Sequence, residues 1–114
     1  MATPAENDLA LIAKFEEVLE SASSVQPRSP AARALSERLT ALLLQRHVRT
    51  APFESEAAMD RAFENAETAL RWLWKALVGD DPAAPRPLPD AITKAREELD
   101  KWKAAAGKLL KGKR

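Results

Sequence analysis

The sequence predicts an all-α protein, an antiparallel up-down four-helix bundle, on three observations. Alanine and leucine dominate, tyrosine is absent and glycine occurs only three times, so good helix formers are abundant and strand-favouring residues scarce. Apolar residues recur at three- and four-residue spacing in four stretches separated by breaks that contain proline or glycine. Charge also alternates from stretch to stretch. Residues 1–27 carry five acids and one base, residues 28–50 one acid and five bases, residues 51–81 seven acids and three bases, and residues 82–114 four acids and nine bases. The segments are therefore −4, +4, −4 and +5. An up-down bundle places opposite signs on every adjacent pair, the first with the fourth included, whereas apposing the first with the third would bring like signs together. Each exposed pair contributes only about 0–1 kcal/mol, so the pattern selects a topology more than it stabilises one.

The first helix is expected over about 6–22. It places Leu11, Ile12, Phe15, Val18, Leu19 and Ala22 on one face, and Glu6 and Asp8 in the first turn, where the helix dipole favours acids. SASSVQPRSP breaks the pattern. Ser29 followed by Pro30 reads as an N-cap and first helical residue, because the serine oxygen can accept an orphan backbone N–H and proline has none to lose.

Helix two is expected over about 30–47, burying Leu35, Leu39, Leu42 and Leu43 and leaving Leu44 on the opposite side. Pro52 marks the next break, with Phe53 placed to pack on the first turn of helix three as a staple. Helix three, about 55–78, has the longest stripe: Met59, Phe63, Ala66, Leu70, Leu73 and Leu77, with Trp74 at its edge. Trp72 points well away from that stripe. Ala58, Ala62, Ala69 and Ala76 form a small-residue flank between the two, along which another helix could approach closely. Gly79 suits a left-handed C-terminal cap.

Residues 80–89 are proline-rich and read as a semi-rigid connector. Helix four is expected over about 89–110, with Ile92, Ala95, Leu99, Trp102, Ala106 and Leu109 on one face and a Glu97–Lys101 pair on the other. Gly107 weakens its last turn, and the basic tail within 108–114 should fray. The long connector also admits a three-helix core with helix four docked loosely or on a second subunit. At 114 residues the chain is expected to be a single helical domain.

Several classes of chemistry find no support in this composition. With no cysteine there is no thiol catalysis, disulfide framework or thiolate metal site. The single histidine, His47, reads as a solvated or C-capping residue. An acid–base or ribonuclease-like role beside Arg46 and Arg49 is its functional alternative. Glu16 with Glu20, and Glu64 with Glu67, have helical spacing but no Glu-x-x-His companion of the kind di-iron bundles use, and read as solvated acids. The expectation is a non-enzymatic protein without cofactor or metal. No stretch approaches the roughly 18 apolar residues of a membrane span, and the first residues lack a signal-peptide pattern, so a soluble cytoplasmic protein is expected.

What remains are surfaces for partners. Trp72, with Leu44 and Leu9 also off their stripes, is either buried by a neighbouring element or an aromatic anchor for another protein or a second copy of the chain. The expected protein-binding set is Trp72, Leu44, Arg46, Arg71 and Lys75, in an adaptor or regulatory module able to self-associate. The alternative is a nucleic-acid-associated protein using Arg38, Arg46 and Arg49 of helix two with Lys108, Lys111, Lys113 and Arg114 of the tail. Pro85-Arg86-Pro87-Leu88-Pro89 resembles part of a polyproline ligand but reads first as a connector.

Overall fold

A computed structural model of the chain describes residues 4–45, 54–79 and 87–111. They form α1 (Pro4–Ala22), α2 (Pro30–Leu43), α3 (Glu54–Val78) and α4 (Leu88–Lys111), with no strand among the described residues. The fold is all-α, and the helices meet as a ring: α1 packs on α2, α2 on α3, α3 on α4, and α4 back on α1. The widest seam is α3–α4. Each neighbouring pair joins segments of opposite charge, the arrangement expected from the charge alternation. Arg38 of α2 reaches Glu17 of α1 at 3.0 Å, and Lys103 of α4 reaches Glu16 of α1 at 3.6 Å.

The direction of the helices follows from what gathers at one pole. A cleft of about 690 Å³ is bounded there by Ala22 at the end of α1, Val25 and Pro27 of the following loop, Ala76 and Gly79 at the end of α3, and Leu88 and Ile92 at the start of α4. The ends of α1 and α3 therefore face the beginning of α4, and α2 departs from the same pole. The bundle runs up-down-up-down.

The apolar stripes of α1 and α3 close as expected: Leu11, Ile12, Phe15, Val18, Leu19 and Ala22 are buried, and so are Met59, Phe63, Ala66, Leu70, Leu73 and Leu77. α4 contributes Ala95, Leu99, Trp102, Ala106 and Leu109, with Ile92 half-buried. Helix four is thus no loose appendage. The fully buried Trp102 ring lies 5.1 Å from Phe63 of α3 and 6.1 Å from Phe15 of α1, in tilted geometry suited to aromatic quadrupoles. Its indole Nε1 donates to Asp8 Oδ2 of α1 at 3.0 Å. Asp8 is only 2% exposed. The acid that reads as a dipole-favoured first-turn residue is in fact the polar partner that lets a tryptophan sit at the centre.

The joint between α1 and α2 is also anchored. Ser29 Oγ accepts from the Ala32 N–H at 3.1 Å, with Pro30 in the first helical turn, as the Ser-Pro pair predicts. Just before it, Arg28 takes a left-handed backbone, φ +67°, and donates its own N–H to the Leu77 carbonyl at 3.0 Å. Its guanidinium then donates to the Gly79 carbonyl from Nη2 at 2.7 Å and Nε at 3.0 Å. Gly79, at φ +69°, ends α3 as expected. The loop after α1 thereby caps α3 and sets α2 against it.

Several boundaries depart from expectation, beginning with α1, which starts at Pro4 and not at Glu6. α2 stops at Leu43 rather than reaching His47, with Leu44 as its cap residue. The stripe Leu35, Leu39, Leu42, Leu43 would continue at Arg46 and His47, where no apolar residue is available to bury. α4 begins at Leu88, inside the connector expected over 80–89, and Leu88 is itself buried. α4 also runs through Gly107 to Lys111, within the tail expected to fray.

Candidate functional site

The arrangement around α3 decides which aromatic is available to a partner. Of the small-residue flank, Ala69 and Ala76 are buried beside α4, while Ala62 is half-buried and Ala58 exposed, so the close approach is confined to the C-terminal half of α3. Close approach on that side rotates the covered arc of α3 toward Trp72 and away from Trp74. Trp72 is half-buried, lining a cleft with Ala69 of its own helix and with Lys94, Glu98 and Lys101 of α4. Lys75 Nζ stands 4.6 Å from the centroid of the Trp72 ring, a cation–π contact. Trp74, expected at the edge of the core, is instead 38% exposed.

Trp74 and Leu44 share a face. Arg33 of α2 and Val78 of α3 meet in a small cleft with Arg28 and Leu77, which marks the α2–α3 seam. Leu44 follows Arg33 by three helical turns and Trp74 precedes Val78 by one, so both lie in rows bordering that seam. With the two helices antiparallel and a rise of 1.5 Å per residue, the two side chains are set about 10 Å apart along the bundle axis. Leu44 is 68% exposed. Arg71, two turns before Val78, borders the same seam, largely solvated and 3.6 Å from Glu67. Trp72 lies around the other side of α3 and does not join Leu44.

The remaining expected residues are dispersed. Lys75 belongs with Trp72. Arg38 is spoken for by Glu17, while Lys108 and Lys111 are exposed in the last turn of α4. Arg46, His47, Arg49, Phe53, Lys113 and Arg114, and the connector over 80–86, lie outside the described residues. No helix among the described residues is long and apolar enough to cross a membrane. Comparison of the chain with protein-family models, with curated proteins and with solved structures gives no match.

The α3–α4 seam also carries the most developed electrostatic feature. Glu98, 5% exposed, accepts from both Lys94 and Lys101 through one oxygen, Oε1, at 3.0 and 3.2 Å. Lys101 therefore turns to Glu98 and not to Glu97, the partner expected from i,i+4 spacing, because an ion pair sheltered from water is the stronger one. Burial by itself pushes the Glu98 carboxyl up. The hydrogen bonds and charges of Lys94 and then Lys101 together outweigh it, and Glu98 titrates below its ordinary 4.5. A carboxyl held below its unfolded value stabilises the fold above that value and loses the contribution as pH falls through the folded one. The stability difference between the wild type and Glu98→Gln should therefore be full at neutral pH and shrink as pH falls below about 4.5. Denaturant unfolding of both chains at neutral and acid pH checks this, and a difference independent of pH would exclude it.

Proposed function

We propose that this protein is a non-enzymatic helical interaction module whose contact surface is the α2–α3 face carrying Leu44, Arg71 and Trp74. The reading rests on one observation: among the described residues, the large apolar side chains left exposed are Leu44, 68%, and Trp74, 38%, and both border the α2–α3 seam. Tryptophan and arginine together are the residue types that most often anchor interfaces, and Arg71 is three residues from Trp74 on the same side of α3. The occupant that fits is an amphipathic helix, from a partner protein or a second copy. Its apolar residues would cover Leu44 and Trp74, and its acids would meet Arg33 and Arg71.

The test compares Leu44→Ala with Trp74→Ala, and both with Trp72→Ala, in molar mass at two concentrations and in affinity capture from native extract. Trp74→Ala should weaken association by about thirtyfold or more, a loss typical of an interface anchor, with little change in melting temperature. Trp72→Ala should lower the melting temperature and leave association intact. Association unchanged in a Leu44→Ala/Trp74→Ala chain would exclude the α2–α3 face.

A further inference from the structure

The cleft around Trp72 is a second surface with different chemistry. Its space is about 400 Å³, within the size range of small-ligand sites, and its walls are Asn65, Thr68 and Trp72 on α3 facing Lys94, Glu98 and Lys101 on α4. Because Lys94 and Lys101 share one oxygen of Glu98, their ammonium groups are no more than about 6 Å apart. Each ammonium has three hydrogens and gives one to Glu98, so hydrogens of both remain for a third group. Glu98 itself lies beneath them, so an approaching ligand meets the cations first. Lys75, over the Trp72 ring, lines the neighbouring cleft at the pole and not this one. Two ammoniums tied to one carboxylate and close enough to bridge one anion, beside an indole and flanked by an amide and a hydroxyl, match a phosphate attached to a planar base.

We propose that the α3–α4 seam binds a nucleotide phosphate, with the phosphate on Lys94 and Lys101 and the base against Trp72. The shared chemistry is a phosphate next to a nucleobase, supplied either by a free nucleotide or by a single strand of nucleic acid. The seam uses none of the arginines of α2, and it lies on the other side of α3 from Leu44 and Trp74, so it stands or falls independently of the interaction module.

The experiment titrates the full chain with inorganic phosphate, with AMP, and with fluorescein-labelled oligothymidylate at low salt. Saturable binding of AMP or oligothymidylate, tighter than that of inorganic phosphate, is expected. If AMP binds and the oligomer binds no better, the source is a free nucleotide; if the oligomer binds more tightly, it is a strand. Lys94→Gln with Lys101→Gln should weaken binding about tenfold, and Trp72→Leu about fivefold or more. Lys101→Gln alone leaves Lys94 on Glu98, so it keeps the fold and should still show a loss of several-fold. Removing the same charge elsewhere, by Lys14→Gln with Arg96→Gln, should change little. The proposal is overturned if neither nucleotide probe binds saturably, if inorganic phosphate binds as well as AMP, or if the Lys14/Arg96 variant loses as much as the seam variants.

Discussion

Trp102→Ala should destabilise the protein by about 3–5 kcal/mol, the range for removing a fully buried large aromatic, and should leave little cooperative unfolding. The side chain touches Phe15 and Phe63 on two different helices, so its loss opens a cavity where α1, α3 and α4 meet. Trp102→Phe separates shape from polarity. It keeps most of the ring but removes the Nε1 donor, leaving the Asp8 carboxylate buried without that hydrogen bond, at a cost of about 1–3 kcal/mol in addition to the lost volume. Chemical denaturation monitored by far-UV circular dichroism measures both. A cost for Trp102→Phe below about 1 kcal/mol would mean that the Asp8–Trp102 bond contributes nothing net.

The second large effect is expected at the pole where Arg28 caps α3. Gly79→Ala should cost about 2 kcal/mol or more, for two reasons that add. A φ of +69° costs an L-residue about 1–2 kcal/mol, and the new Cβ would stand 2.6 Å from Arg28 Nε and 2.7 Å from Arg28 Cγ. The arginine would have to leave the Gly79 carbonyl. In an Arg28→Ala background the same substitution should cost only the backbone part, and the difference between the two costs measures the clash. Because this joint sets α2 against α3, Gly79→Ala should also disturb the Leu44–Trp74 face, whereas Arg28→Gly, which relieves the left-handed backbone, should disturb it less.

Much of this architecture is legible in the sequence, because burial leaves a period. The spacing of Phe15, Val18 and Leu19, or of Phe63, Leu70 and Leu77, gives both the helices and their inner faces, and the alternation of charge gives the order of neighbours around the ring. The roles of the two tryptophans on α3 are less legible. They differ by two residues, and which of them is covered depends on how closely α4 approaches along Ala69 and Ala76, a distance that no property of α3 alone determines. The alanine flank is the available signal, but it leaves Trp72 open to either role, and only its Ala69 and Ala76 are buried. Asp8 is illegible for another reason: its partner is 94 residues away, and an acid in a first helical turn already has a sufficient local explanation. Arg28 carries no local mark of a positive φ at all, since its conformation is imposed by the carbonyls of Leu77 and Gly79.

The candidate surface follows the same division. Leu44 is visible as an apolar residue off its stripe, and it remains exposed. Its companion is Trp74 and not Trp72, because pairing across the bundle depends on helix rotation. Once α4 has taken the Trp72 side, the large apolar groups left exposed among the described residues, Leu44 and Trp74, border the α2–α3 seam.

The most direct test of the whole arrangement is a double-mutant cycle on Asp8 and Trp102, measured at two protein concentrations. Asp8→Ala, Trp102→Phe and the double variant are unfolded with denaturant, and the coupling energy is the part of the double effect that the single effects do not account for. A bundle closed within one chain, with α4 docked on α1 through this bond, predicts a coupling of about 1–3 kcal/mol that does not change with concentration. Additive costs, or a coupling that appears only at high concentration, would mean that α4 completes the core of another molecule and would contradict the fold described above.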